Sequence, residues 1–104
     1  MDEKYEADNL ERILKERLED TPLSASLTDL LVTSYDIQRR KPLFFKSWRA
    51  RGEELRRGEM PAEREFKLRD VARATSAAPT YFEPALIENA AGRSFPLVDG
   101  GVFA

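Results

Sequence analysis

Arg73-Ala74-Thr75-Ser76-Ala77-Ala78-Pro79-Thr80-Tyr81-Phe82-Glu83-Pro84 and, further on, Leu97-Val98-Asp99-Gly100-Gly101 are the two strings on which the fold turns. The first reads as a helix running into a proline stop at Pro79. The second reads as a buried strand that delivers one carboxylate into a double-glycine turn, where glycine permits positive φ and close approach by a neighbour. A carboxylate at that junction is held by strand backbone at the edge of a sheet, as a catalytic base must be. The plainer reading of Asp99-Gly100 is an ordinary hairpin turn, since Asp-Gly is a common turn pair with no chemistry attached.

Working outward, residues 3 to 19 read as an amphipathic helix. Tyr5, Leu10, Ile13, Leu14 and Leu18 fall near one stripe, and Thr21-Pro22 ends it. Leu30 to Ile37 is the best strand, β-branched and aromatic and apolar on both faces at its start. Gln38 to Pro42 is a polar connection, and Leu43-Phe44-Phe45 is expected to return antiparallel as a hairpin. Residues 47 to 65, dominated by charge and punctuated by Gly52, Gly58 and Pro61, read as a solvated loop with a short helical piece at Glu53 to Arg57. Helical spacing returns at Phe66 to Ala74, with Leu68, Val71, Ala72 and Thr75 toward a core. Ala85 to Glu88 and Phe95 to Asp99 read as short strands around an Asn89 to Arg93 turn.

Strands that are apolar on both faces want cover on both, usually from a parallel sheet with helices above and below. This chain offers few strands and about two helices. It therefore reads as part of a larger α/β sandwich rather than a self-contained domain.

Composition narrows the chemistry. A chain of 104 residues with a net charge of -2 and abundant charges of both signs describes a mixed surface, with no basic face of the kind nucleic acid requires. There is no cysteine, which removes disulfides, thiolate metal sites and a thiol nucleophile. There is no histidine either, so the usual general base and a Ser-His-Asp triad are excluded within the chain. Acid-base chemistry must come from carboxylates, lysine or tyrosine. No apolar run approaches the roughly 20 residues of a membrane span, and Met1-Asp2-Glu3-Lys4 does not read as a signal peptide.

Taken with Val32-Thr33-Ser34-Tyr35-Asp36, the strings 73 to 84 and 97 to 101 resemble the C-terminal part of a patatin-like phospholipase catalytic domain, a three-layer α/β/α sandwich. The resemblance spans most of residues 1 to 104 and is weakest at 47 to 65. It implies an esterase with a Ser-Asp dyad, consistent with the missing histidine. Asp99 would be the general base that accepts the serine proton, Gly100 and Gly101 its turn, and Thr75 and Ser76 neighbours lining the site. The small residues Ala74, Ala77 and Ala78 would let backbone approach closely. The nucleophilic serine in Gly-x-Ser-x-Gly and the glycine-rich oxyanion loop are absent: Ser24, Ser26, Ser34, Ser47, Ser76 and Ser94 all lack the flanking glycines. The chain is thus expected to be an incomplete domain, inactive alone. The parent would cleave acyl esters of phospholipids or related lipids without a cofactor or metal, in the cytoplasm or at a membrane periphery. Self-association covering bare strand edges is expected of the isolated piece. The rival reading is a non-catalytic patatin-like interaction module or an inert fragment.

Trp48, Phe44 and Phe45 lie among Arg39, Arg40, Lys41, Lys46, Arg49 and Arg51. Amphipathic aromatics beside basic residues suit transient contact with an anionic lipid surface. The competing account packs both phenylalanines in the core and leaves the charges to solvent.

Overall fold

The structure, a computed structural model, describes residues 3–75 and 84–99, with side chains within 9–75 and 84–98. The Pro79 stop, Ser76 to Ala78 and the double glycine after Asp99 lie outside the described residues. The order of elements is α1 (Glu3–Leu18), β1 (Leu31–Asp36), β2 (Lys41–Lys46), α2 (Ser47–Ala50), α3 (Leu68–Thr75), β3 (Ala85–Glu88) and β4 (Ser94–Asp99). Single 3-10 turns stand at Leu23–Ala25 and Pro61–Arg64.

Two hairpins make the sheet. In the first, Leu31 lies opposite Lys46 and Asp36 opposite Lys41. The buried Asp36 closes its turn by accepting the Gln38 and Arg39 N–H groups at 3.0 Å each, while Arg40 turns the chain at φ 56°. In the second, Asn89 Oδ1 accepts the N–H groups of Ala91 at 3.1 Å and Arg93 at 2.9 Å. Gly92, at φ 86°, supplies the left-handed step that an L side chain adopts only with strain. The hairpins join through β1 and β4, giving the strand order β2-β1-β4-β3. The described residues are those of an α/β fragment, a small sheet with helices.

Every strand pairing is antiparallel, which departs from the parallel sheet that two-faced apolar strands suggest. The reason is connection length. Tight turns can only make hairpins, whereas a parallel neighbour needs a crossover of a dozen or more residues. Only the link between β2 and β3 is that long, and those two strands form opposite edges of the sheet.

The segment 47–65 also differs from the expected loop. Its helix is Ser47–Ala50, not Glu53 to Arg57. Gly52 at φ 98° and Gly58 at φ 82° break the right-handed path on both sides of the expected piece, and Glu54 at φ 56° breaks it within.

One face of the sheet carries the core. Register places Phe45, Phe95, Leu97, Ala85 and Ile87 on it with Ser34 and Asp36, and all are buried. Val71 and Ala74 of α3, with Leu23, Ala50 and Phe66, cover this face. Phe66 bridges Phe45 (4.9 Å, 89°) and Phe95 (5.7 Å, 60°) edge to face, a geometry that adds to simple area burial. On the other face Leu31, Phe44 and Leu86 are 58%, 45% and 72% exposed, although Val98 is buried. Among the described residues, apolar side chains thus stand on both faces of the sheet, with the core on one.

The helix α1 contributes little to this core. Leu10, Leu14 and Leu18 are half-buried and Ile13 is exposed; Tyr5 precedes the described side chains. What ties α1 down is charge: Arg73 of α3, itself buried, donates from Nε to Glu11 Oε1 at 3.1 Å.

Candidate functional site

The two strings that decide the fold meet on adjacent residues of β1. Thr75, at the end of α3, donates its hydroxyl to the Thr33 carbonyl at 3.2 Å. The next residue, Ser34, is directly opposite Asp99 in the ladder. Ser34 is fully buried and donates its hydroxyl to the Val98 carbonyl at 2.6 Å. That carbonyl belongs to the peptide group that carries the Asp99 N–H. The backbone entering Asp99 is therefore held twice, by the ladder and by a buried side chain. Removing that hydroxyl leaves the carbonyl its ladder partner on β1, so the loss is that of one hydrogen bond, about 0.5–1.5 kcal/mol.

Of the residues the sequence singled out, Thr75 and the Asp99 backbone are brought together at this end of β1. The Asp99 side chain, Ser76, Gly100 and Gly101 lie outside what is described. Ser34 was not singled out as a site residue. Its signal was present in the alternation Val32-Ser34-Asp36, which puts polar residues on the core-facing parity of an apolar strand, where each must find a partner.

Asp36 is the other carboxylate on this face, and its surroundings mark it as structural. It is 1% exposed, and besides its two backbone donors it takes Arg39 Nη1 on Oδ2 at 2.7 Å. All three donors come from its own hairpin turn, so this carboxylate serves to hold the turn closed.

Beside Asp36 the two hairpin turns and the Pro61–Arg64 turn border a cleft of about 300 Å³. Glu59 on its wall is held below the usual carboxylate range by the Arg64 guanidinium, at 2.6 Å. On a separate wall of the molecule, burial pushes Asp70 up, against the opposing pull of Arg69 and Lys67. Among the described residues no group of histidine, cysteine, aspartate or glutamate could hold a metal ion. No described helix is long and apolar enough to cross a membrane.

The aromatic and basic stretch divides by strand alternation. Phe45 is in the core at 1% exposed, while Phe44 faces outward. Trp48 is half-buried, with its indole N–H on Glu54 Oε2 at 2.8 Å. The Lys46 ammonium lies 5.9 Å from the centroids of both Phe44 and Trp48. Only part of the stretch is thus available to a surface partner.

Comparison with known proteins places this arrangement. The model of the patatin-like phospholipase family matches residues 1–104. Patatin-11 of Solanum tuberosum is 36% identical over 104 residues, covering 95% of this chain and 24% of that protein. Patatin-like protein 2 of Oryza sativa subsp. indica is 34% identical over 105 residues, covering 97% of this chain and 24% of that protein. Patatin-like protein 2 of Arabidopsis thaliana is 31% identical over 105 residues with the same two coverages, 97% and 24%. The chain spans about a quarter of the length of these curated relatives. A match across the whole chain, with the α3 end and the Asp99 strand converging on β1, makes this chain a member of the patatin-like phospholipase family.

Proposed function

We propose that this chain is the C-terminal part of a lipid acyl hydrolase domain, in which Asp99 is the general base of a Ser-Asp dyad and the serine comes from polypeptide outside residues 1 to 104. The observation that carries the reading is the double anchoring of the Asp99 backbone by the β1 ladder and by Ser34. A base works when its geometry is fixed before the substrate arrives, and here the fixing comes from elements rather than loops. Family membership supplies the chemistry, and the absence of histidine agrees with a dyad that needs none.

In the proposed reaction the Asp99 carboxylate takes the serine hydroxyl proton as the serine oxygen bonds to the ester carbonyl carbon. The tetrahedral intermediate expels the lipid alcohol, which leaves with that proton, and an acyl-serine remains. Water, deprotonated by Asp99, then attacks the acyl carbonyl. The fatty acid departs and the serine regains its proton. The substrate is an acyl ester of a phospholipid or related lipid, and no cofactor takes part in these steps.

The end of the sheet toward which β4 runs also carries Leu31, Phe44, Lys46 and Trp48. An ammonium over two aromatic rings beside exposed aliphatic surface suits brief contact with an anionic lipid surface. Binding to anionic liposomes should fall on Phe44→Ala or Trp48→Ala and remain unchanged for Arg12→Gln on α1; equal binding by all three rules out this contact. Activity is tested in a protein joining this chain to its upstream region. Asp99→Asn should abolish short-chain ester hydrolysis, and an upstream Gly-x-Ser-x-Gly should be required for it. A non-catalytic module instead predicts no hydrolysis with either residue at 99.

A further inference from the structure

The cleft at the Asp36 end of the sheet is built around one aromatic ring. The Arg39 guanidinium carbon lies 4.9 Å from the Phe95 ring centroid, and the Arg93 guanidinium carbon 5.5 Å from the same centroid. Two like charges have been brought to one ring, against their mutual repulsion. Both are positioned by turns rather than by chance contact. Arg39 is oriented by the buried Asp36, which takes one of its terminal N–H groups. Arg93 follows the turn that Asn89 and Gly92 shape, and its own backbone N–H is bonded to Asn89 Oδ1.

The charges of the cleft do not cancel. Arg39 is paired with Asp36 and Arg64 with Glu59. Lys41 and Arg93 also line it and form no ion pair among the described residues, with Glu63 the one lining acid outside those pairs. Cations in surplus, two guanidinium planes on an aromatic wall and a concave space of about 300 Å³ are the elements that recognise a tetrahedral oxyanion, because a guanidinium fork matches two oxygens at once. Phe95 and Asp99 stand at opposite ends of β4, which at ~3.3 Å per residue separates them by about 13 Å. The cleft is therefore distinct from the Asp99 end.

We propose that this cleft binds a phosphate group, with Arg93 and Arg39 as its two forks and Lys41 as an additional charge. The shared chemistry is the phosphate dianion or monoanion. Its source is either free phosphate or the head group of a lipid in a membrane. The proposal does not depend on the hydrolase reading.

The test is titration of the full chain followed by amide NMR. One arm uses inorganic phosphate at constant ionic strength set by sodium chloride; the other uses vesicles of phosphatidylcholine with and without phosphatidic acid. Saturable shifts confined to residues 36–41 and 89–95 with inorganic phosphate identify free phosphate as a sufficient ligand. Saturable binding only to the phosphatidic acid vesicles identifies the head group. In either case Arg93→Gln should weaken binding by about tenfold or more, as expected for losing hydrogen bonds to a charged group. Arg39→Lys keeps a charge beside Asp36 but loses the fork, and should weaken it by less. Arg12→Gln, exposed on α1 and not among the cleft residues, should bind as the wild type does. No saturable binding in either arm, or undiminished binding by a folded Arg93→Gln, overturns the proposal.

Discussion

The two ends of the sheet treat a carboxylate in opposite ways. At one end Asp36 is buried and consumed by its own turn, with two backbone N–H groups and a guanidinium upon it. At the other end it is the backbone leading to Asp99 that is consumed, by the Ser34 hydroxyl and the ladder. The first arrangement spends a charge on making a hairpin. The second uses a neutral hydroxyl to fix the main chain at Val98 and Asp99. Under the proposed function, the contrast is between an aspartate used to build a turn and one left for the dyad.

The largest effect that would sharpen this contrast is in stability. Asp36→Ala removes the acceptor of three donors and leaves the Arg39 charge without its partner. It should destabilise the chain by about 3 kcal/mol, read as a fall in the chemical denaturation midpoint. A change within ~0.5 kcal/mol, ordinary for an uninvolved surface residue, would break the structural assignment of Asp36.

Ser34→Ala comes next. It should cost about 0.5–1.5 kcal/mol by removing one of the two bonds that hold the Val98 carbonyl. Under the proposed function, the same change in a protein joining this chain to its upstream region should lower kcat with KM little changed, because the base would move while substrate binding would not. Ser34→Thr, which restores the hydroxyl, should recover part of kcat. A loss of stability with kcat intact would make Ser34 a packing residue only.

The exposed apolar residues of the second face yield a third expectation. Leu31, Phe44 and Leu86 lie exposed on a sheet whose edges are β2 and β3, a surface prone to pairing with another copy. Light scattering of the isolated chain should report self-association that declines in Leu86→Lys. A well-folded monomer at high concentration would contradict it.

The smallest effect concerns acid. Glu59 has its carboxyl lowered by Arg64, so the pair stabilises the fold above the ordinary glutamate range and that contribution is lost as pH falls through the depressed value. Arg64→Gln should therefore be less stable than wild type at neutral pH, by at most about 1 kcal/mol for a pair this near the surface. The gap should close in strong acid. A constant gap across pH would remove the electrostatic explanation.

Much of the architecture was legible because local signals and tertiary context agree. The alternation in Leu31–Asp36, the polar turn at 38–40 and the Asn89 to Gly92 turn specify two hairpins at short range. Amphipathic spacing located α1 and α3 to within two residues at most ends. The misses have physical causes. Antiparallel joining of the hairpins depends on β1 meeting β4 across a long separation, which no local pattern encodes. The helix at Ser47–Ala50 forms where Ser47 accepts the Leu30 N–H at 2.9 Å, a contact between distant residues that outweighs the helix-favouring composition of Glu53 to Arg57. At the site, Asp99 and Thr75 were singled out through motif resemblance, and the structure brings Thr75 and the Asp99 backbone to adjacent residues of β1. Ser34 was not, since its role is a single buried hydrogen bond to a residue far along the chain.

The central claim, that the two aspartates divide structure from chemistry, is tested most directly by one paired measurement. Asp36→Asn and Asp99→Asn are made in a protein joining this chain to its upstream region, and each is assayed for short-chain ester hydrolysis and for its thermal unfolding midpoint. The account predicts that Asp99→Asn lowers kcat by about 10²–10⁴-fold, the scale of a lost general base, while its midpoint stays near that of wild type. Asp36→Asn should lower the midpoint and, at temperatures where it is folded, retain most of kcat. Near-wild-type hydrolysis by Asp99→Asn would contradict the account.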